Sequence, residues 1–311
     1  MRWTGPSRPP LPRIRTSARS RATRALVLAG AVGAVVVAPV VPSGSDPSAV
    51  AAKRGGVKPV RNAVQVQPGL RYGTSGNTVL DVYRRGAARA APAVLVVHGG
   101  GWWGGDKSRT ADISRRLARA GFVAFNVNYT LAAVGRPGFP RQLRELRTAM
   151  LWIRRHARSF GVNPRRIGAL GSSAGGHLVA LLALGGPGPR GASPRLRAAV
   201  TWSAPFDLSP HDAPLLGQAI EVFLGCGASP CETRRAEASP VTHASPDDPP
   251  MLIVNSQAEL VPVAHAEEMA FQLSSAEVEH KLWILPGSSH AREYSATALR
   301  PSIDYLRRRL R

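Results

Sequence analysis

Short apolar runs alternate along the chain with segments of helix length, and this rhythm restricts the fold more than any other feature. Runs that are apolar at most positions, rather than at every second one, are typical of strands buried on both faces of a sheet. Strands that alternate with helices predict an α/β fold, in which a mostly parallel, eight-stranded sheet carries helices on both faces. The eight strand candidates are 63–66, 79–83, 94–97, 122–127, 166–170, 198–202, 251–254 and 281–285.

Three segments between or after these strands have the character of helices. Residues 141–160 carry an apolar stripe at helical spacing and stop at Gly161. Residues 177–184 predict a buried helix, and residues 302–310 predict a terminal helix with one polar face. The segment 208–248 is rich in Pro, Ser and Ala and interrupts the rhythm, so we predict an insertion over one end of the sheet.

The start of the chain differs in composition from the rest. Residues 1–24 carry seven Arg and no acidic residue, and an apolar run follows over 25–41 before a stretch of small residues. Basic, apolar and small-residue regions in this order are typical of a secretory signal peptide, and an uncleaved membrane anchor is the alternative. We therefore predict an extracytoplasmic protein with a signal peptide over 1–51, a linker over 52–62 and one domain over 63–311.

The chain has a formal net charge of +22, from 41 basic and 19 acidic residues, and only four of the basic residues are Lys. A nucleic-acid-binding protein with such a charge would carry its basic residues on one face or in one run. Apart from residues 1–24 and Arg307–Arg309, the arginines are scattered, so the sequence does not favour a nucleic-acid partner. Cleavage after Ala51 would remove seven Arg and Asp46 and leave a net charge of +16.

Cys226 and Cys231 are the two cysteines of the chain, and four residues separate them. In an exported protein this pair predicts a disulfide that closes a small loop, whereas in a reducing compartment both would be free thiols. Two thiols without histidines at ligand spacing do not complete a tetrahedral metal site, so no metal is predicted.

The candidate nucleophile is Ser173, in the string Gly171-Ser172-Ser173-Ala174-Gly175. This G-x-S-x-G pattern follows a strand candidate and opens an apolar helix, which is the strand–turn–helix setting of a nucleophile elbow. The turn is tight, so glycine at both ends avoids crowding, and the serine hydroxyl projects above the sheet.

A second glycine-rich segment follows the strand 94–97 and reads His98-Gly99-Gly100-Gly101-Trp102. Such a loop can point backbone N–H groups into a cavity, where they would stabilise an oxyanion. We predict Gly100 and Gly101 as donors, with the N–H of Ala174 beside the nucleophile. His98 is expected to support the loop rather than to act as a base.

A serine nucleophile needs a base, and His290 is the best placed of the eight histidines because its loop directly follows the last strand. The base needs an acid that orients its ring. Glu259 follows the strand 251–254, and the order Ser173…Glu259…His290 is the one expected of an α/β-hydrolase. Asp207, which follows the preceding strand, is the alternative acid.

These motifs together resemble the α/β-hydrolase superfamily, and within it the hormone-sensitive-lipase-like esterases and the bifunctional feruloyl/acetyl xylan esterases. The resemblance runs from about Leu80 to His290 and implies that Ser173 and His290 are catalytic. The family commonly has Asp after the seventh strand, so Glu259 is a departure from its pattern. The resemblance to this family is carried by the strings Leu80–Tyr83, His98–Asp106, Asn128-Tyr129, Gly161–Ile167 and Ser173–Leu178.

The sequence thus predicts a secreted serine carboxylic-ester hydrolase that forms an acyl-enzyme and uses no cofactor. Its expected substrates are small acyl or acetyl/feruloyl esters, free or linked to sugars, and it would meet a membrane only through an uncleaved N-terminal segment. One alternative is an amidase of the arylformamidase kind, which looks similar around His98-Gly99-Gly100 and Ser173-Ala174-Gly175. The other is an inactive hydrolase-fold module that binds anionic polymers.

Overall fold

The computed structural model describes residues 63–86, 89–186, 195–210, 213–226 and 231–311. The predicted signal peptide and linker lie outside these residues. Within the described ranges, no helix is both long enough and apolar enough to span a membrane.

Eight strands form one sheet in the order β1-β2-β4-β3-β5-β6-β7-β8. The pairs β1–β2 and β2–β4 are antiparallel, and all the other neighbours are parallel, so the predicted mostly parallel sheet is confirmed. Every strand candidate from the sequence falls on one of them. The strands are β1 (Val64–Arg71), β2 (Val79–Arg85), β3 (Ala91–Val97), β4 (Val123–Val127), β5 (Val162–Ser172), β6 (Ala199–Trp202), β7 (Met251–Ser256) and β8 (His280–Leu285).

Seven α-helices are described, and they cover both faces of the sheet. Successive side chains of β3 point to opposite layers, because side chains alternate along a strand. Leu95 and Val97 belong to the larger hydrophobic cluster, with α2, α3 and α6, whereas Val94 and Val96 belong to the smaller one, with α1 and α7. The helices are α1 (Ala111–Arg119), α2 (Arg141–Arg155), α3 (Ala174–Ala183), α4 (Pro214–Leu224), α5 (Glu232–Ala238), α6 (Val263–Ser275) and α7 (Ser295–Arg309).

Three helix boundaries differ from those predicted by three residues or more, and the first is the start of α3, at Ala174 rather than at 177. Helix α2 ends at Arg155 rather than at Gly161, and a non-helical turn connects it to β5. Helix α7 starts at Ser295 rather than at 302 and contains Pro301. Proline removes one helical hydrogen bond, but Ala298 and Leu299 in the first turns are buried in the smaller cluster, and this packing maintains the helix before the proline.

The sheet order places the end of β3 beside the end of β5. The chain moves from β3 to β4 on one side and then to β5 on the other, which makes this the point where the strand order reverses. In parallel sheets, ligands bind at the carboxyl edge of the strands near such a point. Val97 lies opposite Gly171, so the glycine-rich loop and the Ser173 turn leave the sheet side by side.

The predicted insertion supplies α4, α5 and a 3-10 turn over Pro240–Thr242, and it packs on the loop that follows β3. Trp102 of that loop stacks on Phe223 of α4, with 4.6 Å between ring centroids. The predicted disulfide is present: Cys226 and Cys231, whose Cα atoms are 5.6 Å apart, join the end of α4 to the start of α5.

His177 connects the insertion to the turn that carries Ser173. It lies in α3, four residues after Ser173, and is fully buried. Its Nδ1 accepts a hydrogen bond from Trp102 Nε1 at 3.1 Å, and its Nε2–H donates to the Ala238 carbonyl at the end of α5, at 2.8 Å. His177 therefore packs behind the turn that carries Ser173 and connects it to the insertion.

We expect the stability of the fold to decrease as the pH falls through the range from 6.5 to 4. Burial lowers the pKa of His177 to about 4. The unfolded chain, in which this group titrates near 6.5, therefore binds the proton more readily, and stability is lost below that pH. The pKa shift corresponds to a loss of about 3 kcal/mol in the free energy of unfolding once the pH is below both pKa values.

The measurement is urea unfolding at pH 7 and pH 4.5 for the wild type and for His177→Gln, whose amide provides a donor and an acceptor. The variant should lose less stability than the wild type between the two pH values. His280→Gln, on the edge strand β8, controls for the replacement of a histidine as such. The same loss in wild type and His177→Gln would contradict the assignment.

Candidate active site

Ser173 occupies a strained turn between β5 and α3. Its φ is 53° and its ψ is −127°, a conformation that a residue with a side chain rarely adopts. A Cβ at Gly171 would overlap the carbonyl oxygen of Gly175, and a Cβ at Gly175 would overlap the carbonyl oxygens of Val97 and His98. The backbone can approach this closely only because both positions are glycine, which explains the G-x-S-x-G spacing.

The loop after β3 brings its glycines to the same place. Gly100 and Gly101 have φ values of 127° and 57°, which turn the chain away from the direction of the sheet. Among the described residues, no group accepts a hydrogen bond from the N–H of either glycine. Ala174 is the first residue of α3, where a backbone N–H has no partner within the helix. Three N–H donors are thus available around Ser173.

Side chains behind the loop fix its course. His98 is fully buried, stacks on Tyr129 with 4.4 Å between centroids, and donates from Nδ1 to the Gly99 carbonyl at 2.9 Å. Burial lowers the pKa of His98, which favours the neutral ring. Tyr129 donates its hydroxyl to the His98 carbonyl at 3.0 Å. His98 therefore supports the loop, as expected from the sequence.

Two of the sequence strings that carry the family resemblance meet at the far end of this loop. Asn128 Nδ2 donates to Asp106 at 2.6 Å, and its Oδ1 accepts from the Lys107 backbone N–H at 2.6 Å. The Lys107 ammonium pairs with Asp81 of β2 at 2.9 Å. These contacts anchor the loop to two neighbouring strands.

His290 and Glu259 form a hydrogen-bonded pair at the carboxyl edge of the sheet. The Nδ1–H of His290 donates to Glu259 Oε2, which leaves Nε2 of the ring available. The Glu259 side chain is completely buried, whereas 23% of the His290 side chain is exposed. Ser173 and His290 line the same cavity, and they reach it from different loops.

The second oxygen of Glu259 is also occupied. Its Oε1 accepts a hydrogen bond from the Ser203 hydroxyl at 2.7 Å and from the Ser256 backbone N–H at 2.9 Å. Ser203 Oγ in turn accepts from the backbone N–H of Ala291 at 2.7 Å, next to His290. Hydrogen bonds to both oxygens hold the plane of the carboxyl group in one orientation.

Asp207, the alternative acid, lies elsewhere. Its Oδ1 accepts from the Ser209 backbone N–H at 2.9 Å and from the Ser239 hydroxyl at 3.4 Å, both in or beside the insertion. No hydrogen bond or ion pair joins it to His290 within the described part of the chain. The geometry therefore brings Glu259, and not Asp207, to the histidine.

The cavity above these residues has a volume of about 520 Å³. Its lining combines the glycine-rich loop and the Ser173 turn with the apolar side chain of Leu260 and charged groups of other loops. Within the residues described, no cluster of three or more His, Cys, Asp or Glu side chains is arranged to hold a metal ion. The charged side chains that line it are Arg109, Arg292 and Glu293.

Sequence reasoning missed Ser203, which contacts the buried acid. Its position directly after β6 was the available signal, because residues that follow parallel strands collect at one edge. Strained backbone marks it as well. Six described non-glycine residues have positive φ, and the four that belong to this site are Trp102, Ser173, Ser203 and Ala291.

Comparison with known proteins agrees with this geometry. The family model BD-FAE matches residues 80–273, which include the glycine-rich loop, Ser173 and Glu259. A probable carboxylic ester hydrolase of Mycobacterium tuberculosis, LipM, is 30% identical over 71% of the chain. The chain spans 55–58% of the length of the first three curated relatives, LipM and two other mycobacterial esterases.

Solved structures show the same fold. A carbohydrate esterase from gut microbiota superposes with a TM-score of 0.70 at 20% identity, over 80% of this chain and 97% of that one. An acetyl ester-xyloside bifunctional hydrolase from Caldicellulosiruptor lactoaceticus superposes with a TM-score of 0.65 at 22% identity, over 74% and 87%. With the sheet order, the nucleophile turn and the family match together, the chain belongs to the BD-FAE family of α/β-hydrolase-type esterase domains.

Proposed function

We propose that the protein is a serine carboxylic-ester hydrolase that works through an acyl-enzyme. One observation carries the proposal: Ser173, on its strained turn, lines the same cavity as His290, whose Nδ1 is bonded to the buried Glu259. A nucleophile, a base and an orienting acid on neighbouring loops are the requirements for acyl transfer. The relatives named as ester hydrolases support the same chemistry.

In the first half of the reaction, His290 Nε2 takes the proton of the Ser173 hydroxyl while Oγ attacks the ester carbonyl carbon. The carbonyl oxygen becomes an oxyanion, and the N–H groups of Gly100, Gly101 and Ala174 stabilise it. The imidazolium then gives its proton to the departing alcohol as the carbon–oxygen bond breaks. An acyl group remains on Ser173.

In the second half, water loses a proton to His290 and attacks the acyl carbon. The tetrahedral intermediate collapses, the acid leaves, and the proton returns to Ser173. Glu259 stabilises the imidazolium formed in each half and keeps the Nδ1–H tautomer, so that Nε2 always faces the reaction.

We extend the proposal to the substrate and the location. A cavity of about 520 Å³ is large enough for a short acyl group or a feruloyl group together with part of a sugar. Solved neighbours described as a carbohydrate esterase and an acetyl ester-xyloside hydrolase support sugar-linked esters. The disulfide between Cys226 and Cys231 supports an extracytoplasmic location, where such bonds persist.

Replacement of the nucleophile should abolish turnover. We expect Ser173→Ala to reduce kcat on p-nitrophenyl acetate by about 10⁴-fold or more, because acyl-enzyme formation is lost. A fluorophosphonate probe should label the wild type at Ser173 and leave the variant unlabelled. Ser288→Ala, at an exposed serine in the His290 loop, is the matched control and should retain wild-type kcat. Equal rates for Ser173→Ala and wild type would overturn the proposed function.

The acid can be assigned with two carboxamide variants. Glu259→Gln should reduce kcat by about 10³- to 10⁴-fold, since the amide cannot hold the imidazolium and favours the wrong tautomer. Asp207→Asn should change kcat less than tenfold, because its contacts lie in the insertion. Thermal unfolding of both variants separates loss of activity from loss of folding. The reverse order of effects would assign the acid to Asp207.

A further inference from the structure

Two arginines line the cavity that holds Ser173. Arg109 lies in the 3-10 turn Lys107–Thr110, directly after the loop that supplies Gly100 and Gly101. Arg292 lies in the 3-10 turn Ala291–Tyr294, directly after His290. Both side chains are exposed at the cavity. The loop that carries Gly100 and Gly101 and the loop that carries His290 are thus each followed by one guanidinium at the proposed reaction site.

Neither guanidinium is used by the fold. Within the described residues, neither donates a hydrogen bond nor forms an ion pair, in contrast to other arginines of the chain. Arg235 and Arg307 pair with Glu221 and Asp304, and Arg154 donates to a backbone carbonyl. Arg109 and Arg292 therefore offer free donors to whatever enters the cavity.

Two carboxylates near the cavity offset part of this charge. Glu259 is buried and bonded to His290, Ser203 and Ser256. Glu293 also lines the cavity, but its Oε2 already accepts the His290 backbone N–H at 2.8 Å. Among the side chains that line the cavity, Arg109, Arg292 and Glu293 sum to a formal charge of +1, and Glu259 lies behind this lining.

We infer that the site takes esters that carry a carboxylate on the acyl group or on the sugar, rather than neutral esters alone. The inference rests on the proposed function, because it names the substrate class of that same site. Guanidinium groups bind carboxylates through paired hydrogen bonds. A positive cavity mouth also raises the local concentration of an anionic substrate, and salt weakens this effect.

The test uses two esters that differ in one group. p-Nitrophenyl hydrogen adipate and p-nitrophenyl hexanoate have the same acyl length, and only the first ends in a carboxylate. The ratio of their kcat/KM values is measured after subtraction of the rate without enzyme, at low salt and in 0.5 M NaCl, for wild type, Arg109→Gln, Arg292→Gln and the double variant.

We expect each single glutamine variant to lower this ratio by about fivefold and the double variant by about twentyfold, because an exposed charge-assisted contact to the carboxylate is lost. The change should be in KM. For the wild type, the ratio should also be lower in 0.5 M NaCl than at low salt. The hexanoate rate in each variant corrects the ratio for any change in turnover that is common to both esters. Arg109→Lys and Arg292→Lys, which keep the charge, should recover much of the ratio.

Arg116→Gln is the matched control, since Arg116 is an exposed arginine of α1 outside the cavity lining, and it should leave the ratio unchanged. If the wild type turns over both esters but neither the glutamine variants nor salt changes the ratio, this inference is overturned. The proposed function would still stand in that case. Turnover of neither ester by the wild type would overturn the proposed function, and this inference with it.

Discussion

The site depends on a close approach between two stretches of backbone. The turn around Ser173 lies against the loop after β3 so tightly that a Cβ at Gly99 would be 2.7 Å from the Ser172 carbonyl oxygen. Gly175 permits the same proximity to the loop, and Gly171 lets the turn close on its own backbone. The position of Ser173 relative to the N–H groups of Gly100 and Gly101 is therefore set by main-chain geometry. Backbone donors held in this way are preorganised, which is the arrangement that stabilises charge developing in a transition state.

The pair formed by Glu259 and His290 is organised differently, through side chains. Glu259 reaches His290 from the loop after β7, and Ser203 binds both the acid and the backbone next to the histidine. Three strand ends thus meet at one carboxylate. A buried carboxylate costs free energy unless it is fully hydrogen-bonded, and here each of its oxygens has a partner. The longer side chain of glutamate is accommodated because Ser203 and Ser256 occupy the oxygen that does not face the ring.

Much of this architecture could be predicted from the sequence, because buried parallel strands leave continuous apolar runs and the tight turn at Ser173 requires glycines at fixed spacing. The choice between Glu259 and Asp207 stayed open, since both follow a strand and only packing of the insertion removes Asp207 from the histidine. Ser203 was missed because serine is common and its role depends on a contact across 56 residues. The start of α7 was misplaced because Pro301 marks a helix boundary in sequence, whereas burial of Ala298 and Leu299 determines it in three dimensions.

Helix α7 determines how late in synthesis both faces of the sheet can be covered. It follows every strand in the chain, yet Ile303, Leu306 and Leu310 cover the layer of the sheet that contains Val94 and Leu170. The Trp202 indole also donates to Ser302 at 3.0 Å, which joins the central strand β6 to this helix. A nascent chain in which Ser173, Glu259 and His290 have already been synthesised still exposes one apolar face of its sheet to water. This apolar face stays uncovered until α7 has been synthesised, and exposed apolar surface of this kind favours self-association.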